Sequence, residues 1–272
     1  MNTLIQTELE NNAHLFFPVQ EMPIYNQQGE LIKGYKQLRN GTTDQLLAVQ
    51  KQSYQVFTNE ECLVNTMTYL DNNFDTEGMI ITPHASPDGT VLRYDFTLPK
   101  YQQPFKDSKI LLKGSMFNSL NGTRSYILLL SYVYEICSNG LGHKLWDIYI
   151  TKRHSSKKDF VLDSSQNTTD IKNLGKVTTY LNDWYSEKVS QNDIKDHINI
   201  LCFQPTAKDK SHVNQAMAQY IDKEYTKYRS RYGDNLFTAY QAYTHWATHY
   251  PSASINTVYD RQRKVANMTV FN

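Results

Sequence analysis

Residues 91–98 alternate without a break, and that alternation constrains the fold more than anything else in the chain. Leu92, Tyr94, Phe96 and Leu98 fall on one side, and Val91, Arg93, Asp95 and Thr97 on the other. Successive side chains of a strand point to opposite faces, so the segment predicts a half-buried strand with one apolar face. Turn chemistry brackets it, with Pro87-Asp88-Gly89 ahead and Asn121-Gly122 beyond the apolar run at 110–112. Asn-Gly accepts the two positive φ values of a type I′ hairpin turn better than other dipeptides. Residues 126–136 then read as a long buried strand, and 145–150 as another after the Gly140/Gly142 loop. Connections this short allow only antiparallel neighbours.

Further along, the period changes to a helical one. Ile171, Leu174, Val177, Leu181 and Trp184 form one stripe, running to about Val189. Val213, Met217, Tyr220, Ile221 and Tyr228 form a second, stopped at Gly233. Asp234 is the expected cap of a third, with the stripe Phe237, Tyr240, Tyr243, Trp246 and Tyr250, ended by Pro251. Upstream of the sheet, Tyr54, Val56 and Phe57 suggest a short strand within 50–57. Thr58 or Asn59 then caps a helix with Glu60 and Glu61 in its first turn and Cys62, Leu63, Met67 and Leu70 on its stripe. The fold class expected is α+β: an antiparallel sheet over about 54–152, with helices packed after it over about 171–250. Residues 1–45 read as a polar arm, attached through Phe16, Phe17 and Val19 around Pro18. Residues 46–265 read as a single unit, sheet-rich over 46–153 and helical over 170–250, with 154–169 as a flexible connection.

Composition narrows the class. A chain of 272 residues that is 40% hydrophobic and 20% charged is long and apolar enough to build a core, which excludes wholesale disorder. The longest apolar stretch, 127–137, contains Ser131 and Glu135 and is too short to span a bilayer. Residues 1–11 lack a basic flank followed by an apolar run, so no secretory leader is expected. Cys62, Cys137 and Cys202 are scattered and odd in number, the pattern of reduced, buried thiols, and the expected location is the bacterial cytoplasm. Twenty tyrosines suit half-buried faces and wet interfaces.

Charge is segregated along the chain. Residues 1–99 carry 5 Lys/Arg against 12 Asp/Glu, residues 100–160 carry 10 against 4, and residues 161–272 carry 13 against 11. Within the basic part, Lys144, Lys152, Arg153, Lys157 and Lys158 are interleaved with Trp146, Tyr149 and His154, and Lys113 and Arg124 flank the Asn-Gly turn. Binders of single-stranded nucleic acid combine phosphate-neutralising cations with aromatic faces on which bases stack. The expected interface is therefore Lys113, Arg124, Lys144, Tyr149, Lys152, Arg153, His154, Lys157 and Lys158. The competing reading is a solvated sheet edge guarded by lysines.

Other constellations carry less. His245 and His249 have metal-sharing spacing, but Trp246 stands where a zinc hydrolase needs Glu, and a third ligand is missing. Gly140-Leu141-Gly142 precedes His143-Lys144, so it is neither a dinucleotide fingerprint nor a P-loop. Carboxylates concentrate in the first 99 residues without a paired motif, and a metal-dependent nuclease would draw on Asp88 and Asp95 with Lys100. No metal and no cofactor is expected. The tyrosine-rich helices over 213–250 read as core plus an oligomer face.

Taken in order, several short motifs carry a resemblance. They are Tyr54-Gln55-Val56-Phe57-Thr58-Asn59, Cys137-Ser138-Asn139-Gly140-Leu141, Lys152-Arg153-His154-Ser155 and Ala242-Tyr243-Thr244-His245. Over about 45–265 the chain resembles the phage/plasmid-like proteins grouped under a domain-of-unknown-function label. Many of these place Ser-His-Asp-Gly at the central hairpin, where this chain has Asn118-Ser119-Leu120-Asn121-Gly122. The missing His and Asp argue against a catalytic turn there. The resemblance implies a mobile-element setting and, by fold-level analogy, a likeness to phage single-strand annealing proteins. The leading expectation is a non-enzymatic, phage- or plasmid-type protein that binds and anneals single-stranded DNA. The alternatives are an interaction protein engaging a host factor and a nuclease-like enzyme. Expected partners are single-stranded nucleic acid, a host protein and further copies of the chain, with no membrane.

Overall fold

In the computed structural model, residues 3–134, 148–154, 160–162, 174–204, 212–251 and 254–268 are described. A five-stranded antiparallel sheet, ordered β4-β5-β6-β7-β8, contains the alternating segment. Its strands are β4 (Ile80–Ala85), β5 (Val91–Phe105), β6 (Ser108–Ser119), β7 (Tyr126–Tyr134) and β8 (Ile148–Lys152). Leu92, Tyr94, Phe96 and Leu98 are all fully buried, while Arg93, Asp95 and Thr97 are partly exposed, as the alternation requires. Burying each such side chain stabilises the fold by about 1.5–3 kcal/mol. The α+β class is therefore as read from the sequence.

Turn chemistry departs from expectation at Asn121-Gly122. Gly122 has φ +74°, but Asn121 does not take a positive φ, and the strands stop at Ser119 and resume at Tyr126. Ser119, Asn121 and Thr123 instead bond one another and the local backbone, for example Thr123 N to Asn121 Oδ1 at 3.1 Å. Short polar side chains thus stabilise a wider loop than a two-residue turn. The tight hairpin is the one between β5 and β6, at Lys106-Asp107, where Lys106 takes φ +52°.

The expected polar arm, residues 1–45, is instead a folded element. Helix α1 (Thr3–Asn11) leads into a three-stranded antiparallel sheet of β1 (Val19–Tyr25), β2 (Leu31–Asn40) and β3 (Leu46–Lys51). Asn26 builds its first hairpin by accepting from the amides of Gln28 and Glu30. Asn40 builds the second, accepting from the amides of Thr42 and Thr43. Helix α2 (Asn59–Asn73) follows, and Thr58 caps it through a reciprocal bond with Glu61. Asn59 lies inside the helix and is buried, donating to the carbonyls of Leu15 and Gly89 and accepting from Asn118.

The chain divides into two compact units rather than the single unit expected over 46–265. The first comprises Met1–Lys100, Lys113–Leu130 and Ile148–Thr168, and the second Tyr101–Leu112, Ser131–Asp147 and Thr169–Asn272. In the first, α2 packs on the apolar sheet face, where Thr66 meets the Tyr126 hydroxyl at 2.8 Å. The second holds α3 (Leu174–Ser186), α4 (Gln191–Cys202), α5 (Gln215–Tyr232), α6 (Leu236–His249) and α7 (Ile255–Ala266). Of these, α4 and α7 match no stripe read from the sequence. The cap of α6 is Asn235, which accepts from Thr238 N, and not the expected Asp234.

Helix α6 packs against α3, α5 and α7 and is buried nearly all round. Tyr225, Tyr228, Tyr232, Tyr240 and Tyr243 are buried with it and form core, while Tyr220 and Tyr250 of the same stripes are half-buried. Among the described residues, no helix is long and apolar enough to cross a membrane, and Cys62 and Cys202 are buried free thiols. Cys137 lies outside the described residues.

Candidate nucleic-acid interface

Sheet register decides which members of the expected basic interface share a surface. β7 and β8 pair Leu129 with Tyr149, Leu128 with Ile150 and Tyr126 with Lys152. Opposed residues share a face. Ile148, Ile150 and Lys152 therefore stand on the α2 side with Tyr126, while Tyr149 and Thr151 stand on the outer side. Tyr149 is 45% exposed and Arg153, just past the strand, is also exposed. Lys152 and Tyr149 are three residues apart in a strand, which puts them on opposite faces. The expected cluster is split by that geometry.

His154 leaves the interface altogether. It is 5% exposed, stacks on Tyr54 with ring centroids 5.0 Å apart, and packs against Phe57 at 4.8 Å. Its Nδ1 lies 3.1 Å from the Gln55 carbonyl, to which it donates, and Nε2 has no partner among the described residues. The Gln55 amide in turn donates to the His154 carbonyl. Burial drives the imidazole pKa down to about 4 against the smaller opposing effect of the Gln55 bond, so the ring is neutral and serves packing. Lys144, Lys157 and Lys158 lie outside the described residues.

On β6, a Cβ at Gly114 would meet the Leu130 side chain at 2.3 Å and the Leu129 carbonyl at 3.1 Å. That close approach places Gly114 on the buried side, and hence Lys113 and Ser115 on the outer face with Leu129 and Tyr149. Ser115 Oγ donates to Asp95 Oδ1 at 2.6 Å. Arg93 closes a two-pronged pair on the same carboxylate, Nε at 2.6 Å and Nη2 at 2.7 Å, and His84 Nε2 lies 3.2 Å from Oδ2. Burial raises the Asp95 carboxyl, but His84, Arg93 and Ser115 outweigh it and hold the pKa at about 2. A row thus crosses the sheet from His84 through Arg93, Asp95, Ser115 and Leu129 to Tyr149. Arg93 and Asp95 were readable as the outward set of the alternation. His84 and Ser115 were not, because nothing local to them marks their strands' neighbours.

Arg124 sits partly exposed in the loop after Gly122. Each member of the nuclease-like trio has its own partners. Asp88 accepts from Ser86 and Thr90, Lys100 pairs with Glu77, and Asp95 is held by the groups above. In the second unit, His245 and His249 stack ring on ring at 4.4 Å, and the Tyr220 hydroxyl lies 3.3 Å from His245 Nδ1. Among the described residues, no group of three or more His, Cys, Asp or Glu side chains is placed to hold a metal.

A family model described as a domain of unknown function (DUF932) matches residues 46–269. The chain belongs to this family. The match opens at the first residue of β3, so α1, β1 and β2 precede the DUF932 region, while α2, the five-stranded sheet and the helices fall inside it. The Arg153-His154 part of the signature ends in the buried ring described above. The Cys137–Leu141 part lies outside the described residues. Comparisons with curated proteins and with solved structures return no match.

Proposed function

We propose that this DUF932 protein binds single-stranded DNA without cutting it and promotes strand annealing, as a phage- or plasmid-type protein acting in the cytoplasm of a bacterial cell. The observation that carries the reading is the exposed ring of Tyr149 on the outer sheet face, with Lys113 on the same face and Arg153 at the end of its strand. A base stacking on such a ring is worth about 1–3 kcal/mol, and stacking tolerates any sequence. Lys113 and Arg153 supply charge for the backbone. Asp95 adds no uncompensated negative charge, because Arg93 neutralises it in place. The mechanism is adsorption of an extended strand across the sheet, which leaves base edges open for pairing with a second strand.

Fluorescence anisotropy with a labelled single-stranded oligonucleotide, at several salt concentrations, tests the reading. Lys113→Ala with Arg153→Ala is expected to flatten log affinity against log salt by about 0.7 for each phosphate that is no longer neutralised. Tyr149→Ala is expected to weaken binding with little change in that slope. A wild-type protein that leaves the oligonucleotide unbound at low salt would sink the proposal.

A further inference from the structure

Residues 1–99 hold 12 carboxylates but only five cations: Lys33, Lys36, Arg39, Lys51 and Arg93. Four of those five belong to the β1-β2-β3 sheet. Its register sorts them by face. Glu21 opposes Leu38, which is fully buried, and Glu21 pairs with Lys36 at 2.6 Å on that inner side. On the outward side Tyr35 opposes Lys51, and Gln37 stands between Met22 and Val49. Arg39 lies on the outward side as well and is tied to Asp44 at 3.1 Å. Lys33 and Lys51 are exposed and have no carboxylate partner among the described residues. Tyr35 is 46% exposed and Tyr25 is 59% exposed.

Beside them, Met22, Leu31, Lys33 and Tyr35 line a groove of about 450 Å³. Its one carboxylate, Glu21, is already neutralised by Lys36. An otherwise acidic stretch of chain thus presents a sheet face whose strand cations outnumber its carboxylates, Asp44 neutralising Arg39 alone, with a tyrosine beside Lys33 and Lys51. Two copies of such a face repel each other. A polyanion with flat apolar rings is its complement.

Resting on the single-strand reading above, we propose that the outward face of the β1–β3 sheet is a second contact for single-stranded nucleic acid. Tyr35 acts as a stacking platform, Lys33 and Lys51 as phosphate contacts, and Met22 and Val49 as apolar flanks. β1 and β2 precede the DUF932 match and β3 lies inside it, so this surface extends beyond the family region and lengthens the strand each molecule occupies.

The test is anisotropy of a labelled thirty-nucleotide oligo-dT with the full chain. Wild type is compared with Tyr35→Ala, with Lys33→Ala/Lys51→Ala and with Tyr149→Ala, all surface changes whose folding is checked by circular dichroism. Tyr35→Ala is expected to weaken binding about fivefold or more without changing the salt slope. The double lysine variant is expected to lower that slope by about 1.4. If both bind like wild type while Tyr149→Ala is weakened, this inference fails and the five-stranded face stands. If only the β1–β3 variants are weakened, the inference stands and the Tyr149 face falls. Absence of binding by wild type at low salt overturns both. Concentration-dependent dimerisation abolished by Tyr35→Ala, with unchanged DNA binding, assigns the face to a second copy and overturns the inference.

Discussion

Acidification should destabilise this protein through His154 well before its carboxylates titrate. In the folded state burial holds the His154 pKa at about 4, against an ordinary value of 6.5. Above pH 6.5 neither state carries the proton. Between 6.5 and 4 the unfolded chain takes it up and the native ring does not, so stability falls as pH falls, and the loss levels off below about 4. A gap of about 2.5 pH units, at 1.36 kcal/mol each, gives a loss of about 3 kcal/mol at most. Among the described residues, Tyr54, Phe57 and the Gln55 carbonyl face the ring, and none of them changes charge in that window.

The assay is urea denaturation at half-unit steps from pH 7.5 to 4.5, on wild type and on His154→Phe. Phenylalanine keeps the stack on Tyr54 but forgoes the bond to Gln55, so it should cost about 1 kcal/mol at pH 7.5 and remove most of the slope. His197 and His245 are also pushed down by burial and leave a shared residual slope in both proteins. Superimposable pH profiles for wild type and variant would refute the argument, as would a wild type that gains stability on acidification.

Two further outcomes follow from the geometry of the first unit. Asp95, with its pKa held at about 2, contributes stability that is present above the ordinary value of 3.8 and lost as pH falls towards 2. Asp95→Asn should remove up to about 2 kcal/mol at neutral pH and flatten acid denaturation below pH 4, checked by the same denaturation series. Gly122→Val should cost about 1 kcal/mol or more, because a β-branched residue resists φ +74° and its Cβ would displace the Gln50 amide from the Asn121 carbonyl. An unchanged melting temperature would show that the loop has another conformation.

What the sequence carried was local. Alternation at 91–98 assigned the inner and outer faces of β5 residue by residue, because a period of two is a property of the strand itself. The start of α2 at Thr58 or Asn59, the stop at Gly233 and the stripes of α3, α5 and α6 were legible for the same reason. β1 and β2 were not, since Pro23 and Gly34 interrupt the pattern and most of their large apolar residues, Leu38 apart, are left exposed. Proximity along the chain also misled. Lys152, Arg153 and His154 are consecutive, yet one stands on the α2 side of the sheet, one is exposed and one is buried beneath Tyr54. Only the tertiary structure could decide that, because a strand gives neighbours to opposite faces while register brings distant residues such as His84, Ser115 and Tyr149 onto one. Burial follows from what covers each face, and that depends on chain segments many residues away.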